Sequence, residues 1–282
     1  MATAEASVAE VRGQPVVRRS SLIRVIEAVI GASIFLVLLQ ILLNFSLLDS
    51  EFWRRYGGSF ETGIGTTLRF VAIILPLSAV LGFFLGWLRI SRFRTLSWPV
   101  AVYVDFFRGI PPIVIVIYAS IFGAALLQVR FTGRDLAWNV AAVALALHSA
   151  AYQSEIFRAG FQSVPRGQIE AAQALGMRPT QAMYNVVLPQ ALRLSLPPLG
   201  NEFAVVIKDT SLLASIGALD LFGVSQDFIQ AVFLQPGASV YWLLTMWTAV
   251  ALVYFAMTTA VTQVLLFLER KFHVRGLEGV SV

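Results

Sequence analysis

Six apolar runs of about twenty residues or more recur along this chain, at about 25–43, 65–88, 100–126, 137–157, 194–215 and 240–268. A helix rises about 1.5 Å per residue, so roughly 20 apolar residues cross the hydrocarbon core of a bilayer. No water reaches the backbone there, and a helix satisfies its own N–H and C=O groups within one segment. The pattern therefore predicts an all-α, polytopic membrane protein with about six transmembrane helices. Charged residues are only 13% of the chain, about half the share of a soluble domain. The fifth run is interrupted by Pro197, Pro198, Gly200, Asn201, Glu202, Lys208 and Asp209.

Basic residues orient the spans. One set of connecting segments holds Arg12, Arg18, Arg19, Arg24, Arg89, Arg92, Arg94, Arg158, Arg166, Arg178, Arg193, Arg270, Lys271 and Arg275; the opposite set holds only Arg54, Arg55, Arg130 and Arg134. The positive-inside rule places the richer set, and both termini with it, in the cytoplasm. Residues 1–21 read as a polar cytoplasmic tail, 22–48 as an additional N-terminal transmembrane helix, 60–272 as the membrane core and 273–282 as a cytoplasmic tail. Residues 43–65, with Phe52, Trp53, Tyr56 and Phe60, read as an outer interfacial loop. Residues 216–237 carry Asp220 and Asp227 but no Lys or Arg, and read as an outer loop with a short helix.

Between the fourth and fifth runs lies a polar stretch, 165–189. Pro165 suits a first helical turn, and the run from Ile169 to Leu175 favours helix. Gly176 can take the left-handed conformation that ends a helix, and Pro179 blocks continuation. The expected product is a short helix of about two turns, capped at both ends, lying on the cytoplasmic side and suited to docking in a partner's groove.

The pattern Glu170-Ala171-Ala172, then Gly176, then Val186 and Leu188-Pro189 resembles the EAA signature of permease subunits of bacterial ATP-binding-cassette importers. Flanking segments sharpen the likeness to the polar amino-acid (histidine/glutamine-type) branch: Arg108-Gly109-Ile110-Pro111, Leu147 to Tyr152, Glu155 to Gly160, Leu188 to Arg193, Leu196 to Asn201 and Lys208 to Leu212. The resemblance covers about residues 65–270; Val186 stands where the family usually has Ile. It implies a type I importer (MetI-like) permease fold, a multi-pass place in a bacterial or archaeal inner membrane, and a coupling loop at 163–190. Glu170, Ala171, Ala172, Gly176, Leu188 and Pro189 are the implied contacts to the ATPase. The implied partners are two ATP-binding-cassette ATPase subunits, a second permease subunit in a homo- or heterodimer, an extracytoplasmic solute-binding protein and an amino-acid substrate. ATP and Mg belong to the ATPase, and this chain is expected to bind no cofactor.

Ionisable residues within spans face protein or water. An amino acid brings an ammonium and a carboxylate, so a path for it needs donors and acceptors on facing helices. His148, Tyr152, Asn201 and Glu202 are the candidates. Asn201 and Glu202 read as path lining, beside prolines that loosen their helix. For His148 and Tyr152, ligand contact and helix packing stand equally open. Asp105 with Arg108, and Lys208 with Asp209, read as structural ion pairs; Pro111 and Pro112 predict a kink after the first. Glu155 beside Arg158 is expected to brace the coupling loop.

Catalytic patterns are absent. There is no Walker sequence, no Cys and only two His, His148 and His273, so neither a nucleotide loop nor a zinc motif can be written. The net charge of +5 is scattered between spans and does not form a nucleic-acid patch. The leading expectation is an amino-acid permease subunit that does no chemistry itself. An ion-coupled secondary transporter and a docking scaffold without transport remain as alternatives.

Overall fold

The computed structural model describes residues 21–123, 125, 134–234 and 239–271 of the 282. They form ten α-helices: α1 (Ser21–Leu43), α2 (Ser50–Arg89), α3 (Arg94–Gly109), α4 (Pro112–Tyr118), α5 (Arg134–Gln162), α6 (Arg166–Ala174), α7 (Pro179–Ala182), α8 (Leu188–Asp209), α9 (Leu221–Leu234) and α10 (Tyr241–Lys271). Wider π-helical turns extend α4 (Ala119–Gly123) and join α7 to α8 (Met183–Val187), and a tighter 3-10 turn, Thr210–Ile216, follows α8. The expected tails at 1–21 and 273–282 lie outside the described residues, apart from Ser21, which opens α1.

The chain divides into two compact units, 1–47 and 48–282. The described part of the first unit is α1 and the turn after it, where Gln40 Oε1 accepts the Leu47 N–H at 3.0 Å. Its apolar side chains, among them Phe35, Leu38, Ile41 and Leu42, are exposed, which suits a lipid solvent rather than water.

The second unit is organised around α2 and α5. Asp49 starts α2, accepting the Glu51 and Phe52 N–H groups at 2.9 and 3.0 Å, and its other oxygen accepts Trp242 Nε1 at 3.0 Å. This ties the start of α2 to the start of α10. The buried positions of α2 run Phe60, Gly63, Thr67, Phe70, Ile74, Ser78, Gly82 and Gly86, a stripe at three- and four-residue spacing that turns one face inward. Its lower part narrows to Ser78, Gly82 and Gly86. A Cβ on Gly82 would stand 2.7 Å from Gln153 Cβ, and one on Gly86 2.7 Å from the Ser154 carbonyl oxygen. The α2 and α5 backbones thus touch almost directly, the packing that small residues permit between membrane helices.

α5 is the inner helix. Ala141, Ala142, Leu145 and Ala146 join Phe70, Ile74, Val116 and Val206 in one core cluster; lower down, Phe157 and Phe161 pack with Val187, Ala191 and Leu199. A second aromatic core joins Phe52 and Phe60 to Phe228, Trp242 and Met246.

By length and apolarity, α2 and α10 each suffice to cross a bilayer, and the bent pair α3–α4 makes a third among the described residues. α5 and α8 are long enough, but they bury polar groups against protein, which an inner helix can do and a lipid-facing one cannot. Two sequence expectations need correcting. The segment from 50 to 65 is not an interfacial loop, because Asp49 caps a helix that runs unbroken from Ser50. The run at 100–126 is not one kinked helix: Ile110 and Pro111 are extended, and α3 and the helix after it meet at 100°.

Candidate functional site: a capped surface helix and a polar layer

The short polar helix forms as its punctuation requires. Pro165 is extended (φ −60°, ψ 135°) and sits one residue ahead of α6, not in its first turn, while its carbonyl accepts the Gln168 N–H at 3.0 Å. At the other end Gly176 takes φ +82°. Met177 N–H bonds the Ala172 carbonyl at 3.1 Å and Gly176 N–H the Gln173 carbonyl at 2.9 Å, the paired closure that a left-handed residue makes possible. α7 starts two residues on, with Gln181 Oε1 accepting the Arg178 N–H at 2.8 Å. Pro189 has no N–H for the carbonyl four residues back; just before it the turn widens, and Leu188 N–H reaches the Met183 carbonyl five residues back.

This local structure sorts the expected coupling residues. Glu170, Ala171 and Gly176 are exposed, as are Gln173, Ala174 and Leu175. Ala172 turns inward and is buried, and Ile169 packs on the Phe157–Leu199 cluster. Leu188 and Pro189 are half-buried at the start of α8, where Leu188 packs on the same cluster. The outward surface is therefore Glu170, Ala171 and the 173–176 turn, and the remaining residues hold that surface in place.

Above the loop an ion cluster closes the ends of α2 and α5. Glu155 bonds Arg89 Nη2 at 3.0 Å and Arg158 Nη2 at 2.6 Å, and Arg158 Nη1 donates to Gln162 at 2.7 Å. The expected pairing of Glu155 with Arg158 is present, with Arg89 as a third member that spacing alone did not disclose; the partners of Glu155 lie on α2 and α5. Neither Asp105–Arg108 nor Lys208–Asp209 closes to an ion pair, whereas Glu155 does. Arg108 instead lies over the Tyr152 ring, 5.5 Å from its centre, and a three-residue spacing on one helix does not outweigh that cross-helix contact.

A polar layer crosses three helices at mid-height. Gln153 Nε2 on α5 donates to Ser78 Oγ on α2 at 2.8 Å and to Ser149 Oγ at 2.9 Å; Ser149 Oγ donates to Glu202 Oε1 on α8 at 3.2 Å. Ser78 and Gln153 are fully buried, and Gln153 Oε1 has no partner. Glu202 is thus brought onto a connected network, whereas Asn201 next to it is exposed. His148 is buried with its ring 5.1 Å from that of Tyr152, and both face α3. Ser78, Ser149 and Gln153 escaped sequence reasoning; their signal was the four-residue spacing of 78, 82 and 86 on α2, and of 149 and 153 on α5.

At the other end of α2 an open cleft of about 330 Å³ is lined by Tyr56, Ser59, Thr62, Asp227, Phe228 and Met246 among others. Nearby, Asp220 caps α9 through the Gly223 N–H at 3.0 Å, and Thr67 accepts the Leu221 N–H at 2.9 Å. No three His, Asp or Glu side chains among the described residues gather where they would hold a metal ion.

Residues 78–274 match the model of a family described as binding-protein-dependent transport system inner membrane component. The chain is 35% identical over 179 residues to a probable glutamine ABC transporter permease protein of Bacillus subtilis, covering 64% of this chain and 78% of the relative. It is 36% identical over 207 residues to an L-cystine transport system permease protein of the same organism, covering 70% and 83%. With a glutamate/aspartate import permease protein of Escherichia coli the identity is 31%, over 70% of this chain and 92% of the relative. Among solved structures, an amino acid ABC transporter crystallised with histidines superposes with a TM-score of 0.65 at 31% identity, covering 77% of this chain and 95% of that one. An inward-facing methionine ABC transporter chain superposes at 0.62 with 18% identity, over 78% and 99%, a likeness of fold alone.

Proposed function

Because the chain belongs to the family of binding-protein-dependent transport system inner membrane components, we propose that it is the membrane-spanning permease subunit of an ATP-driven importer for polar amino acids. It is a multi-pass membrane protein with the type I importer fold, and its own residues transmit motion without catalysing a reaction. The observation that carries the reading is α6: a helix closed at both ends by its own backbone, with Glu170, Ala171 and the 173–176 turn exposed as one surface. Such a surface suits a groove on a cytoplasmic ATPase, and the basic loops put it, with both termini, on the cytoplasmic side. Two ATPase subunits, which bind ATP and Mg, engage α6 and its counterpart on a second permease subunit, and an external solute-binding protein delivers the amino acid.

Asn201 and Glu202 line the path in this reading. Glu202 is the stronger member, because Ser149, itself held by Gln153, donates to its carboxylate, and a fixed acceptor can receive an ammonium group that has lost its water. ATP-driven approach of the two ATPases shifts the population between inward-open and outward-open states through differential contacts at α6.

Reconstitution in liposomes, with and without the ATPase and across a panel of amino acids, tests the reading. Uptake is expected only with the ATPase and ATP present. Uptake driven by an ion gradient without the ATPase would replace the proposal with a secondary transporter, and binding of the ATPase without flux would replace it with a scaffold.

A further inference from the structure

Two neighbouring carbonyls of α3 lose their helical donors through the sequence itself. In a helix the Phe107 and Arg108 carbonyls accept from the N–H groups of residues 111 and 112. Those residues are Pro111 and Pro112, which have none. The helix stops there, Ile110 turns extended (φ −112°, ψ 133°), and the chain leaves at 100°. Inside a membrane a bare carbonyl is costly and must find another donor.

Two side chains one turn apart on α5 meet these two carbonyls in order. The His148 imidazole lies beside the Phe107 carbonyl, its Nδ1 buried and without a hydrogen-bond partner, and the Tyr152 hydroxyl donates to the Arg108 carbonyl at 3.4 Å. The Arg108 guanidinium lies over the Tyr152 ring. One turn earlier on α3, Tyr103 donates to the Leu147 carbonyl at 2.7 Å, and Val104 packs against Ala151 with both fully buried. Polar contacts therefore set the register of α3 on α5, and two of them fall at carbonyls that the prolines leave open.

We propose that His148 and Tyr152 are positioning residues of the translocation path: they supply the hydrogen bonds that Pro111 and Pro112 cannot, and so hold the elbow between α3 and α4 against α5. The inference rests on the reading of the chain as a transporter and assigns these two residues to the path's framework, not to its ligand contacts. An elbow held by side-chain donors in place of a backbone ladder can exchange its hydrogen bonds by rotamer changes, while Val116 keeps α4 packed on the core of α5.

The test uses the full chain with its ATPase, and a readout that needs no transport. The protein has no cysteine, so Phe106→Cys and Ile113→Cys, both at exposed positions, place two spin labels astride the elbow. A narrow distance distribution is expected for the otherwise unaltered chain and for His148→Gln, whose amide can still donate. A broadened one is expected for His148→Leu combined with Tyr152→Phe. In uptake assays the same pair is expected to lower the maximal rate on the order of tenfold with KM unchanged, and His148→Gln to recover most of it. A distribution as narrow in the double variant as in the parent overturns the proposal. So does a raised KM at unchanged maximal rate, which makes the two residues ligand contacts. Absence of uptake in the parent would tell against the transporter reading, and the spin-label distances would still decide the elbow.

Discussion

Replacing Gly86 by alanine tests whether the α2–α5 contact is a direct backbone contact. The new Cβ would lie 2.7 Å from the Ser154 carbonyl oxygen, 2.8 Å from Phe157 Cβ and 3.2 Å from the Arg158 nitrogen. Ordinary carbon contacts begin near 3.5 Å, so the helices must part by about 0.7 Å. Two of the three obstacles are backbone atoms, which no rotamer change removes. Overpacking of this kind costs about 1–3 kcal/mol, while alanine in place of glycine returns about 1 kcal/mol of helix propensity. Gly65 on the same helix has nothing within 4 Å of its Cβ position, so Gly65→Ala carries the propensity gain alone. The difference between the two variants, expected at about 1–3 kcal/mol, isolates the close approach. Denaturant unfolding of the purified protein in one detergent, followed by circular dichroism, measures it. If Gly86→Ala and Gly65→Ala unfold at the same midpoint, α2 and α5 are not in backbone contact and the packing argument fails.

Gly176→Val should strain a backbone held at φ +82° with open space around it, at a cost of about 1–2 kcal/mol; in the reconstituted transporter ATP hydrolysis should continue while uptake per ATP falls several-fold, and Gly176→Asn should behave much like the parent. Asp220 is buried, and burial, opposed by the Gly223 and Phe222 N–H groups and the Tyr254 hydroxyl, lifts its carboxyl to about 6 from 3.8. The folded protein therefore holds the proton more tightly than the unfolded chain, so stability should fall as pH rises from about 3.8 to 6, and unfolding titrations of Asp220→Asn should lose that slope. Asp49 has the opposite sign: the Phe52 N–H, Trp242 Nε1 and Glu51 N–H hold its carboxyl below 3.8, so its stabilisation is complete above that value and fades as pH falls below it. Asp49→Ala should cost about 1 kcal/mol at neutral pH, measured by the same unfolding assay.

Residues with strong local rules announced themselves in the sequence. Gly176 and Pro179 fixed the end of α6 and the start of α7, and the helix between Pro165 and Gly176 stands where its capping chemistry placed it. The short helix expected within 216–237 is α9. What depends on residues far apart in the chain stayed hidden. Ser78 and Gln153 are 75 positions apart, and nothing local to either reveals the hydrogen bond that joins them. Pro111 and Pro112 read as a kink, but the size of the bend depends on which donors await the freed carbonyls, and those sit on α5. Arg108 had an acid three residues away and an aromatic ring on another helix; only packing decides between them. Ala172 looked like part of the docking surface because it lies in the signature, yet helical phase turns it inward and buries it.

The proportions of α5 have a mechanical consequence. Its 29 residues make a rod about 44 Å long at 1.5 Å per residue, and α6 follows it after only three residues. If such a rod pivots near one end, a tilt of about 5° carries the other end through about 4 Å, roughly three-quarters of the rise of one helical turn. A push of that size on α6 therefore requires no unfolding and no large rotation at the membrane's far side. The gearing lies in the length of a single helix, and shortening it by a turn while keeping its register would reduce the stroke in proportion.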